Sequence, residues 1–168
     1  MLTAEEIIKK LGLIKHPSEG GYFREIYRSE ESIIKDHLPK RYDSNRRICT
    51  SIYYMLTPDS FSAIHKLRSD EIYHFYLGDP VTMLLLFPEG RSKILTLGAD
   101  IMSGQELQVM VPRDVWQGSF LNDGGRFALM GTTVAPGFEF DDFEAGRRNK
   151  LIEKYPGQEE LIRKLTRS

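Results

Sequence analysis

The sequence predicts an all-β fold, two packed sheets or a closed jelly-roll barrel, with short helices at its two ends. Three observations predict it. From Ile48 to Ala135 short runs rich in β-branched and aromatic residues follow one another almost without interruption. Turn-forming groups break those runs at a spacing of roughly 8–12 residues, the rhythm of a sandwich or barrel. Helical periodicity is confined to the first dozen residues and to the stretch after Asp141.

Taken in order, Thr3–Lys10 predicts a helix. Thr3 is a good N-cap, Glu6 completes a capping box, Ile7, Ile8 and Leu11 form one stripe, and Gly12 stops it. Pro17 to Gly21 is a turn, and the following GYFREIYRS reads as a strand with an aromatic and a charge on each face. Ser29–Asn45 is polar and aperiodic, and is expected to be an exposed loop or lid. The strands expected next are Ile48–Leu56, Phe61–Leu67, Glu71–Leu77, Val81–Phe87, Ser92–Leu97, Leu107–Val111, Trp116–Leu121 and Arg126–Ala135. TSIYYML and VTMLLLF are apolar on both faces, so a sheet is expected to be covered by the terminal helices or by a second copy, and a homodimer is the expected assembly. From Asp141 the chain reads as short amphipathic helices, interrupted at Pro156-Gly157.

The 168 residues are expected to form one domain. With 40% hydrophobic residues, 28% charged and a net charge of −1, the composition is that of a globular protein. It gives nucleic acid no basic stripe to bind. No apolar run approaches the roughly 18 residues of a membrane span, and no secretory signal is visible. A single cysteine, Cys49, excludes an internal disulfide and suits a reducing compartment, so a cytoplasmic location is expected.

The stretch Phe61–Gly78, FSAIHKLRSDEIYHFYLG, carries the chemistry. On a strand, Glu71, Tyr73 and Phe75 share one face. With a tight turn at Arg68-Ser69-Asp70, His65 and Leu67 would come beside them, bringing a base, a carboxylate and a phenol together. Glu71 would orient His65 as a general base. Gln117 and Trp116 are candidates for holding a polar ligand, Tyr53 is an alternative proton donor, and Arg24 and Arg47 could meet an anionic group.

His65, Glu71 and Gly78 fit the first cupin motif, and Pro112 to Gln117 fits the second loosely. Together EGGYFRE, IYYMLTP, FSAIHKLRSDEIYHFYLGDP, VPRDVWQ and TVAPGFEFDDFE resemble cupin family five, a group of short cupins of unknown function. The resemblance implies a cupin double-stranded β-helix, usually dimeric, with a small-molecule cavity inside. Metal-dependent cupins use two histidines and a glutamate from the first motif and one histidine from the second. Here the second histidine is Leu67 and the last is Gln117, so a divalent metal, if held, would rest on His65, Glu71 and Gln117. The resemblance to sugar-nucleotide epimerases among cupins therefore implies a metal-independent isomerase or epimerase acting on a carbohydrate or sugar derivative. His65 would be its base, with Tyr73 or Tyr53 returning the proton. The alternatives are a non-catalytic ligand-binding cupin and a metal-dependent cupin enzyme.

Overall fold

The computed structural model describes residues 2–167. In chain order the strands are β1 (Ile14–Lys15), β2 (Tyr22–Arg28), β3 (Ser32–Ile33), β4 (Arg46–Arg47), β5 (Thr50–Leu56), β6 (Phe61–Lys66) and β7 (Asp70–Gly78). They continue with β8 (Val81–Leu86), β9 (Ser92–Leu97), β10 (Gln108–Val111), β11 (Trp116–Leu121), β12 (Ala128–Ala135) and β13 (Glu144–Ala145). The helices are α1 (Ala4–Leu11), α2 (Arg148–Lys154) and α3 (Glu159–Lys164). None of them is long and apolar enough to cross a membrane.

Two antiparallel sheets face each other, a six-stranded one in the order β1-β2-β5-β12-β7-β10 and a five-stranded one in the order β13-β6-β11-β8-β9. Alternation of side chains along each strand sends one set inward. Tyr54, Leu56, Tyr73, Phe75 and Met130 from the first sheet pack against Val81, Met83, Leu85 and Leu97 from the second. Each expected strand forms, within two residues at either end, because runs with a buried face tolerate no slip of register.

The two-faced strands are covered as the sequence required. Ile64, Leu84 and Leu86 point out of the five-stranded sheet and are buried under Leu151, Tyr155, Ile162 and Leu165 of the C-terminal segment. α1 covers one corner of the outer face of the six-stranded sheet, with Ile7 and Leu13 against Met55 and Leu129. Thr3 caps α1 in a full capping box with Glu6, and Gly12 ends it in the left-handed region at φ 63°.

Three expectations are corrected. Arg68-Ser69-Asp70 does not close a hairpin: β6 and β7 belong to different sheets, so the segment crosses between them. The run from Asp141 becomes α-helical only at Arg148: a single 3-10 turn at Phe140–Asp142 buries Asp142 against Arg46, and Glu144–Ala145 then pairs with β6. Ser29–Asn45 is not wholly exposed. β3 and β4 form a two-stranded ribbon, Tyr42 is buried, and Arg41 and Tyr42 both donate to the Arg68 carbonyl.

Candidate active site between the sheets

A cavity of about 80 Å³ lies between the sheets toward one end. Its inner lining includes His65 and Leu67 from the β6 side, Glu71 from β7 and Thr132 from β12. Phe23, Glu25 and Arg28 of β2 and Phe138, Phe140 and Phe143 of the segment after β12 complete it. His65, Glu71 and Thr132 are buried, whereas Glu25 and Phe140 are exposed and so mark the mouth.

His65 pairs with Gln117 across β6 and β11, which fixes its inward direction. Its Nδ1 lies 2.8 Å from the Ala63 carbonyl, an acceptor only, so the neutral ring carries its proton there. Nε2 is left with a free lone pair, 3.8 Å from Glu19 Oε2. The imidazole stacks on Phe143, with centroids 5.0 Å apart. The carboxylate nearest the basic nitrogen is therefore Glu19, where the sequence suggested Glu71.

Glu19 stands on the turn between β1 and β2. Its Oε1 accepts from Ser62 Oγ at 2.5 Å, and its backbone N–H donates to His16 Nδ1 at 2.9 Å. The two glycines after it make this turn. Gly20 and Gly21 have φ of 107° and 69°, and a Cβ on either would lie 2.3 Å from the Phe61 carbonyl or 2.7 Å from the Met55 carbonyl. Burial holds the His16 imidazole below its ordinary pKa, against the opposing pull of Glu19.

Glu71 faces His65 from the other sheet and accepts from Gln117 Nε2 at 2.8 Å. Burial, and after it the charge of Glu19, raises its carboxyl above the ordinary range. Gln117 Oε1 and Ser119 Oγ are buried without a hydrogen-bond partner.

The other residues singled out by sequence lie elsewhere. Tyr73 and Phe75 share the inward face of Glu71 but are packed in the core and do not line the cavity. Burial, with the neighbouring Glu71 adding to it, pushes the Tyr73 phenol well above its usual value. Trp116 faces the helices, one position out of phase with Gln117. Tyr53 is on the outer sheet face beside Tyr76. Arg24 donates to the Leu11 carbonyl at the end of α1, and Arg47 donates to the Glu30 carbonyl. Sequence reasoning did not single out Glu19, His16, Arg28, Thr132 and the three phenylalanines. The paired glycines after Glu19 were the available signal for the first of these.

The donor set does not fit the divalent metal of metal-dependent cupins. Leu67 donates nothing, and Gln117 turns its N–H toward Glu71 rather than offering its oxygen to a shared centre. Among the described residues no group of three or more His, Cys, Asp or Glu side chains is placed to hold an ion.

A two-sheet jelly roll with a largely apolar cavity between its sheets, carrying a few buried polar side chains, defines the barrel class to which small-molecule-binding cupins belong. The chain belongs to the family described as Cupin superfamily (DUF985), whose profile matches residues 5–146 and so includes every cavity-lining residue. It is 34% identical over 149 residues to the uncharacterized protein YML079W of Saccharomyces cerevisiae, covering 83% of this chain and 73% of that one. Among solved structures it is similar to protein SO0799 of Shewanella oneidensis, with 36% identity, 99% of each chain covered and a TM-score of 0.87. A hypothetical protein from Leishmania major gives 32% identity and a TM-score of 0.89, over 99% of this chain and 100% of the other.

Proposed function

We propose that the protein is a metal-independent isomerase or epimerase that moves a proton next to a carbonyl group. The observation that carries this reading is a base and an acid on facing sheets of one cavity. His65 Nε2 has a free lone pair, and Glu71 is a carboxyl whose pKa is raised. In the forward step Nε2 takes a proton from the carbon beside the carbonyl, the electron pair moves to the carbonyl oxygen, and the Glu71 carboxyl protonates that oxygen. The imidazolium then returns its proton to a carbon of the enol while Glu71 takes the hydroxyl proton back as the carbonyl re-forms, so both groups end as they began and no proton is gained or lost. Glu19 stabilises the imidazolium that forms at 3.8 Å.

The substrate class is a small polar carbonyl compound, a sugar derivative being the expected instance. A cavity of about 80 Å³ takes only its carbonyl end, and the remainder lies at the mouth by Glu25, Arg28 and Phe140. The test is deuterium exchange. Short hydroxy-aldehydes and hydroxy-ketones are incubated with the protein in D2O and the carbon-bound protons are followed by NMR. Wild type exchanges them, His65→Ala loses about 10²-fold or more, and Glu19→Gln falls in between. Exchange by His65→Ala at the wild-type rate overturns the assignment, and binding without exchange points to the non-catalytic reading.

A further inference from the structure

We infer that the substrate carries a protonated amine, and that the floor of the cavity is built to hold a short-chain primary ammonium group. The inference rests on the same cavity and narrows the substrate class just proposed. Four observations lead to it.

The first is charge. Glu19, Glu25 and Glu71 line the cavity, and Arg28 is the one lysine or arginine lining it among the described residues. Its guanidinium is already occupied, by Glu25 at 2.9 Å and by Glu139 at 2.7 Å. With Glu25 tied to Arg28 and Glu71 serving as the acid of the proposed transfer, a phosphate or carboxylate on the ligand would meet the Glu19 carboxylate in a pocket poorly screened by water.

The second is the hydrogen-bond inventory. His65 Nε2 offers a lone pair and Glu19 Oε2 lies beyond hydrogen-bond distance of it at 3.8 Å, so two acceptors of the lining stand side by side with no donor between them. An ammonium group supplies three donors and no acceptor. A carboxylate supplies the reverse and would leave the site's acceptors unmet.

The third is the wall. Phe23, Phe138 and Phe143 line the cavity together with the carboxylates. Aromatic rings around a desolvated cation attract it through their quadrupole, while they also bury its carbon chain.

The fourth is size. The volume of about 80 Å³ is close to half the ~150 Å³ of an engineered cavity that takes benzene, which leaves room for about three non-hydrogen atoms. In the proposed proton transfer this makes the substrate an α-amino carbonyl compound, whose nitrogen sits on the reacting carbon and so enters with the carbonyl end, the nitrogen toward Glu19 and the carbonyl toward Glu71.

The test uses three compounds of one chain length: propylammonium chloride, sodium propionate and 1-propanol, with ionic strength matched by potassium chloride. Binding is read by thermal shift and by the side-chain 15N resonances of His65. Propylammonium is expected to raise Tm by several degrees, to move the His65 signals, and to bind about tenfold or more tightly than propionate. Glu19→Gln is expected to lose this preference. Equal or tighter binding of propionate or propanol overturns the inference, as does an unchanged preference in Glu19→Gln. Should that variant fail to fold, Glu25→Gln at the exposed mouth replaces it, with a several-fold weaker ammonium affinity expected and an unchanged one counting against the inference. If propanol or propionate binds at His65 instead, the amine is wrong while the proton-transfer reading stands. Loss of that reading is scored separately, by deuterium exchange in His65→Ala.

Discussion

Glu71 is buried and lies near the charge of Glu19, and these outweigh His65 and the hydrogen bonds from Thr132 and Gln117. Its carboxyl is therefore raised above the ordinary value of 4.5. For an acid the sign follows directly. The folded chain holds this proton more tightly than the unfolded chain, so the stability it contributes is complete below the ordinary value and is lost as pH rises through the raised one. Thermal melts from about pH 4 to about pH 8 should show wild type losing stability with rising pH relative to Glu71→Gln. Parallel curves for the two proteins would count against a raised carboxyl. His65 and Glu71 were legible in the sequence because the motif spacing marks them. Glu19 was not, since its role depends on a turn folding back against β6, where the Ala63 N–H donates to the Glu19 carbonyl at 2.9 Å. Nothing in a strand's alternation announces such a contact. Gln117 and Trp116 are one residue apart and so on opposite faces of β11, which the sequence reading that gave both to the ligand passed over.

At the scale of elements, the segment from Pro136 to Phe143 forms one wall of the cavity and is anchored at its far end. Arg46 is fully buried, and its guanidinium grips Asp142 through two hydrogen bonds of 2.9 and 2.6 Å. Removing one member leaves a buried charge alone. Arg46→Ala is expected to cost about 3–5 kcal/mol in urea unfolding, and Arg46→Met with Asp142→Leu should recover much of that loss. A double variant no more stable than the single one would show that the pair is needed as a pair. The same anchor explains why two stretches misled the sequence reading. Ser29–Asn45 is polar because it wraps an ion pair and donates to backbone carbonyls, and the run from Asp141 has helical residues but is pinned by Asp142 and then drawn extended by pairing of Glu144–Ala145 with β6. The long strands carried their own signal, whereas two-residue strands such as β4 and β13 exist only through what they pair with.

For the molecule as a whole, the layers are unequal. The outer face of the five-stranded sheet is sealed by α2 and α3, which lie beyond the residues matched by the family. On the six-stranded sheet Ile26, Tyr76 and Met110 remain exposed beyond the reach of α1. Ile162→Ala should destabilise the fold by about 2–5 kcal/mol, since that side chain is wholly buried against the sheet. Deleting residues 148–167 should bare Ile64, Leu84 and Leu86, giving dye-binding apolar surface and a broad melt; a sharp melt without dye binding would show that the helices are dispensable.

His65 and Glu71 are six positions apart in the chain yet belong to different sheets. A molecule touching both acts as a rivet through the sandwich, so its grip resists separation of the sheets rather than fraying of any one strand. Amide hydrogen exchange would see such a ligand most strongly in the slowest amides, those released only when the sheets part, with the loops at the mouth changing less.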